Sequence, residues 1–181
     1  MRKFCIFLLK RFGWNYTLSV EIPEKSVICV APHTSYWDYV VGILFYLSVI
    51  GSIPHVLMKK ELFFFPFNLL FKSMGGIPVD RKKKTSISDQ MVELFNSNRI
   101  FRLAISPEGT RKRNIQWKTG FYYIALKAGV PITLASIDYS KKEVDVKHIF
   151  SPTGDFKADI EEIMNYYKDV QAKHPAKFAI R

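Results

Sequence analysis

Apolar residues in this chain fall into short runs of two kinds, and the two alternate. One kind is compact and rich in β-branched residues. Residues 27–31, 56–58, 77–79 and 101–106 read as strands covered on both faces, because their apolar character is nearly continuous rather than alternating. The other kind carries helical character. Residues 38–50 form a long apolar helix, 62–71 an intensely apolar one containing Pro66, and Ile87, Met91, Leu94 and Phe95 make a stripe of helical period. Residues 121–128 form a helix closed by Gly129 and Pro131. Residues 132–138 and 143–149 pair as a hairpin around Ser140-Lys141-Lys142. A last helix puts Ile160, Ile163, Met164 and Tyr167 on one face, and the tail from His174 onward is expected to fray. This alternation predicts an α/β fold: a single domain with a mixed, mostly parallel sheet flanked by helices.

The N-terminus stands apart. In residues 1–14 the apolar stretch 4–9 is interrupted by Lys10 and Arg11, with no small-residue cleavage site after it. It is too short for a signal peptide and far from the roughly 20 residues of a spanning helix. Phe4, Phe7, Leu8 and Phe12 recur at helical spacing, Arg2, Lys3, Lys10 and Arg11 flank them, and Trp14 closes the segment. That is the pattern of an amphipathic helix lying in a membrane interface. A helix packed on its own domain has an equal claim. The expected division is a 1–14 interface helix and a 15–181 domain.

Composition sharpens this picture in two places. Of 181 residues, 15% are aromatic, and the formal net charge is +11. A strongly basic chain seeks anionic partners, whether nucleic acid, anionic lipid or an acidic substrate. Cys5 and Cys29 both sit in apolar runs, with no Cys-x-x-Cys and no Cys/His cluster. Two buried, reduced thiols are expected, with neither a disulfide framework nor a metal site.

The candidate chemistry begins at Pro32-His33-Thr34-Ser35-Tyr36-Trp37-Asp38, between a strand and a helix. Five residues of ideal helix turn by about 500°, so His33 and Asp38 cannot share one helical face. They meet if His33 lies on the loop and Asp38 in the first helical turn. The carboxylate then holds one ring nitrogen and leaves the other free as a base. Ser35-x-x-Asp38 also reads as a capping box, and on this segment alone that reading is the stronger. Two further loops leave strands with paired charges: Asp80-Arg81, followed by Lys82-Lys83-Lys84, and Glu108-Gly109-Thr110-Arg111. Either is equally a solvated turn, but open α/β sheets collect their sites at such loops. Arginines there suit a phosphorylated alcohol.

Taken together, these segments resemble the glycerolipid acyltransferase family, specifically its 1-acylglycerol-3-phosphate acyltransferase members. That family is known by four ordered blocks. Here they are matched by His33, Ser35 and Asp38; by Asp80-Arg81; by Glu108 to Arg111; and by Val130-Pro131-Ile132. Pro32 stands where members often carry a polar residue, Pro78 where an aromatic is common, and Lys112 where Ser is common. These departures bear on the acceptor rather than on the chemistry.

The resemblance implies direct acyl transfer. His33 acts as general base and Asp38 orients it, while Arg81, Glu108, Gly109, Thr110 and Arg111 bind the acceptor. The donor is acyl carrier protein or coenzyme A carrying the acyl group, the acceptor a lysophospholipid, and no cofactor or metal is required. The protein is expected at the cytoplasmic face of a membrane, held peripherally against an anionic surface. The 62–71 segment is a candidate acyl-chain wall or membrane-facing patch, with ordinary core an equal alternative. A different acceptor, such as a lyso-aminolipid, is the alternative within the enzyme class. A non-catalytic lipid-binding module does not require an oriented base. A nucleic-acid binder is disfavoured because the charges cluster in loops beside acidic residues.

Overall fold

The computed structural model describes residues 1–80 and 86–180. The chain runs α1 (Arg2–Arg11), β1 (Asn15–Leu18), β2 (Lys25–Ala31), α2 (Tyr36–Val49), β3 (His55–Lys59), α3 (Phe67–Ser73) and β4 (Gly76–Val79). It continues through α4 (Ile87–Ser97), β5 (Phe101–Ile105), α5 (Gly120–Ala128), β6 (Ile132–Asp138), β7 (Glu143–Phe150) and α6 (Phe156–Tyr166). The strands form one seven-stranded sheet in the order β1-β7-β6-β2-β5-β3-β4. The five strands from β6 to β4 run parallel; β7 is antiparallel to β6, and β1 pairs parallel with β7. The mixed, mostly parallel sheet expected from the alternation is present, and β6 and β7 pair as a hairpin, with an irregularity between Leu134 and Ala135.

Successive strand residues point to opposite faces, and each face has its own core. On one side Val27, Cys29, Leu103, Ile132 and Leu134 meet α4, α5 and α6 through Met91, Phe95, Phe121, Tyr122 and Ile163. On the other side Ile28, Ala135, Ile137, Val144 and Val146 meet α1 and α2 through Leu9, Val41, Phe45 and Tyr46. Fully burying side chains of this size stabilises by roughly 1.5–3 kcal/mol each, which is why the continuous apolar runs become the central strands. Gly129 ends α5 in the left-handed conformation at φ +62°, open to glycine without steric cost.

Three local expectations change, and one left open is narrowed. β1 was not foreseen; its residues are largely exposed at the sheet edge, so no apolar run betrays it. The 62–71 helix is interrupted, because Pro66 has no N–H to donate: a 3₁₀ turn at Lys60–Leu62 precedes α3, which starts after Pro66. The tail does not fray, since Phe178 and Ile180 pack against the first core and Ala179 is buried. The N-terminal helix packs on its own domain, one of the two readings its pattern allows. Cys5 and Leu9 bury one side of α1, while Phe4, Phe7 and Phe12 are each at least 60% exposed on the other. Both cysteines are buried and unpaired, as expected. Among the described residues, no helix is long and apolar enough to cross a membrane.

Candidate active site

The three strands at the middle of the sheet, β6, β2 and β5, lie side by side and parallel. Their carboxyl ends therefore open onto one edge, and the residues just beyond them converge there: His33 after β2, Glu108 after β5 and Tyr139 after β6.

Asp38 is the centre of the arrangement. It lies in the first turn of α2 and is 2% exposed. Its Oδ2 accepts the backbone N–H groups of Thr34 and Ser35, both at 2.7 Å. Ser35 caps the helix, its hydroxyl accepting the Trp37 N–H at 3.2 Å. His33 Nδ1 stands 3.5 Å from the same Oδ2, and the Tyr139 hydroxyl donates to Oδ1 at 2.7 Å. The capping box and the His–Asp pair, which compete as readings of the sequence, are thus one carboxylate doing both. Burial alone would push the Asp38 carboxyl up. The His33 ring, the Tyr139 hydroxyl and the N–H groups of Ser35 and Thr34 together outweigh it and hold the carboxyl below its usual range.

Glu108 is turned inward. It is 1% exposed, and its Oε1 accepts the His33 backbone N–H at 2.5 Å, so the carboxyl grips the loop that carries the imidazole. Burial pushes its carboxyl up to about 7; the His33 N–H and ring charge oppose this, and the nearby Asp38 charge adds to it. Gly109 turns at φ +65°, where a Cβ would lie 2.8 Å from Lys118 Cγ. Thr110 Oγ1 accepts the Lys112 N–H at 3.2 Å. The Arg111 guanidinium lies 3.4 Å over the Tyr36 ring and donates to its hydroxyl at 2.7 Å, which sets it beside the first turn of α2. The structure thus gathers His33, Asp38 and Glu108 and places Arg111 at their side. Arg81 lies outside the described residues; Asp80 before it accepts from Lys60 Nζ at 2.9 Å.

Tyr139 was missed from the sequence. Its only signal is its position one residue past the end of β6, next to β2 in the sheet.

Between α2 and the sheet runs a cavity of about 110 Å³ lined mainly by apolar groups, among them Val30, Ile43, Phe45, Ala135 and Val146. His33 and Asp38 line it too, as does Gly42, which presents no side chain. An imidazole poised against a carboxylate beside such a cavity can take a proton from a nucleophile while an apolar group is held within reach. Among the described residues, no group of three or more His, Cys, Asp or Glu side chains is placed to hold a metal ion.

Residues 15–137 match the family model described as Acyltransferase. The chain is similar to the 1-acyl-sn-glycerol-3-phosphate acyltransferase of Escherichia coli, 29% identical over 68% of this chain and 51% of the relative. It is also similar to that of Haemophilus influenzae, 38% identical over 41% of this chain and 33% of the relative. The chain spans about half the length of the curated relatives it matches. Its fold is that of the solved 1-acyl-sn-glycerophosphate acyltransferase PlsC from Thermotoga maritima, with a TM-score of 0.58 and 18% identity over 94% of this chain and 80% of that one.

Proposed function

This chain belongs to the acyltransferase family, and on that premise we propose that it moves a fatty acyl group from a thioester donor to the free hydroxyl of a lysophospholipid, best 1-acylglycerol-3-phosphate. The observation that carries the reading is the His33–Asp38 pair at an apolar cavity, with the Arg111 loop beside it. Nδ1 of His33 faces Asp38, so Nε2 is the atom that takes the acceptor's hydroxyl proton. The alkoxide oxygen attacks the thioester carbonyl, the carbon–sulfur bond breaks, and the imidazolium returns its proton to the leaving thiolate. Asp38 stabilises the imidazolium that forms between the two steps. Glu108 fixes the His33 backbone, and Arg81 and Arg111 bind the acceptor's phosphate with Gly109 and Thr110 shaping the loop. A covalent acyl-enzyme is unnecessary, and Cys29 is a poor nucleophile: it is wholly buried, and burial pushes its thiol up to about 12.

The cavity under α2, at about 110 Å³, takes the part of the acyl chain next to the thioester. The donor is acyl carrier protein or coenzyme A bearing that chain, both acidic and suited to a chain of net charge +11. The exposed Phe4, Phe7 and Phe12 of α1, bracketed by Arg2, Lys3, Lys10 and Arg11, rest on an anionic membrane at its cytoplasmic face, peripherally. Tyr39 of α2 donates to the Met74 carbonyl at the end of α3 at 3.0 Å, which sets a second exposed apolar segment, with Phe65 and Leu69, beside α2.

The test is an assay of the purified protein with lysophosphatidic acid and each donor, read by mass spectrometry, with a lyso-aminolipid in parallel. Phosphatidic acid is expected, and His33→Ala makes none. Product from the lyso-aminolipid alone would replace the acceptor; no product with either donor would overturn the reading.

A further inference from the structure

We infer that Tyr139, which lies outside every recognised sequence block, is a positioning residue of the reaction: its hydroxyl locks the Asp38 carboxylate in the one orientation that serves His33. The argument starts from the two oxygens. Oδ2 receives the N–H groups of Thr34 and Ser35 and faces the His33 ring. Oδ1 is held by the Tyr139 hydroxyl at 2.7 Å. The terminal torsion of an Asp side chain is broad, so a carboxylate held by one oxygen still swings about it. Pinning the second oxygen removes that freedom and keeps Oδ2 facing Nδ1.

The donor is itself fixed. Its ring meets the Trp14 ring edge to face, with centres 5.0 Å apart. Its backbone N–H donates to the Gln171 carbonyl at 2.9 Å. The C-terminal segment that supplies this carbonyl is tied to the same loop, because the His174 N–H reaches Thr34 Oγ1 at 3.3 Å. Tyr139 is therefore held by the N-terminal segment on one side and by the C-terminal segment on the other. Burial, and then the bond to Asp38, push its hydroxyl well above its usual range, so it remains a donor at every working pH.

The inference rests on the reading of His33 as the base, and the test separates the two. The charged and titratable groups facing the pair are Glu108 from the β5 loop and, over the Tyr139 ring at 5.9 Å, Lys173 from the C-terminal segment. Since Glu108 titrates near neutrality, the His33 ring is followed directly by NMR, with His33→Asn identifying its signal among the four histidines.

Tyr139→Phe keeps the ring against Trp14 and removes one hydroxyl. Losing a donor concentrates charge on Asp38, so the His33 titration midpoint rises by a few tenths of a pH unit and kcat falls about tenfold, with KM for both substrates little changed. Monofluorinated tyrosine at 139, a stronger donor of nearly the same shape, moves the midpoint the other way and retains activity. It also serves should Tyr139→Phe melt below the assay temperature. An unmoved midpoint with kcat within about twofold of the parent, or midpoints moving the same way in both variants, would overturn the role of Tyr139. A moved midpoint in a protein that forms no phosphatidic acid would support the lock and count against the reaction instead.

Discussion

Replacing Glu108 by Gln should remove a pH dependence that the fold itself creates. The carboxyl has an ordinary value of 4.5 and is pushed up to about 7 by burial. The folded protein thus holds this proton more tightly than the unfolded chain does. Stability from this group is complete below about pH 4.5 and is lost as the pH rises through the folded value near 7. The full gap of about 2.5 pH units corresponds to about 3 kcal/mol, most of which is lost between pH 5 and pH 8. Gln keeps a carbonyl oxygen for the His33 N–H and carries no charge. Any constant cost of its amide group cancels when one pH is compared with another, and the other titrating groups are common to both proteins. For a domain of this size the difference in Tm between Glu108→Gln and the parent should therefore shift by about 5–10 °C in the variant's favour from pH 5 to pH 8. Calorimetry at the two pH values measures it. Parallel melting curves, with a difference constant to about 1 °C, would refute the burial of an ionisable Glu108 against the loop that carries His33.

Three further outcomes follow from the same geometry. His33→Ala should abolish acyl transfer with an unchanged melt, and Asp38→Asn should lower kcat by about 10³–10⁴-fold, which steady-state kinetics reports while a melting curve shows the fold intact. Arg111→Ala should raise KM for a phosphate-bearing acceptor about tenfold with donor KM little changed; a donor effect alone would assign the loop to the other substrate. Phe4, Phe7 and Phe12 changed together to Ser should release the protein from anionic vesicles in co-sedimentation without lowering Tm, because the packed side of α1 is Cys5 and Leu9. A lowered Tm with unchanged vesicle binding would show that these rings serve the fold.

By itself the sequence determined what is local. The runs that became β2, β5 and β6 could be read because a strand buried on both faces must be apolar throughout. The loop-then-helix placement of His33 and Asp38 could be read because capping acts within three or four residues. The stripe of phenylalanines on α1 could be read from its spacing, but that Cys5 and Leu9 on the other side do the packing could not, because the partner surface on α2 is supplied by the fold. The pattern at 62–71 predicts a helix running through Pro66, whereas the chain breaks there and the helix begins at Phe67, because the proline nitrogen has no hydrogen to donate. The roles of Glu108 and Tyr139 belonged to the tertiary structure alone. Glu108 reaches His33 across 75 residues, and Tyr139 reaches Asp38 across 101. Contacts of that span are set by which strands lie side by side. No periodicity records that order, because helical and strand patterns encode only which face is buried, not which strand comes next to it.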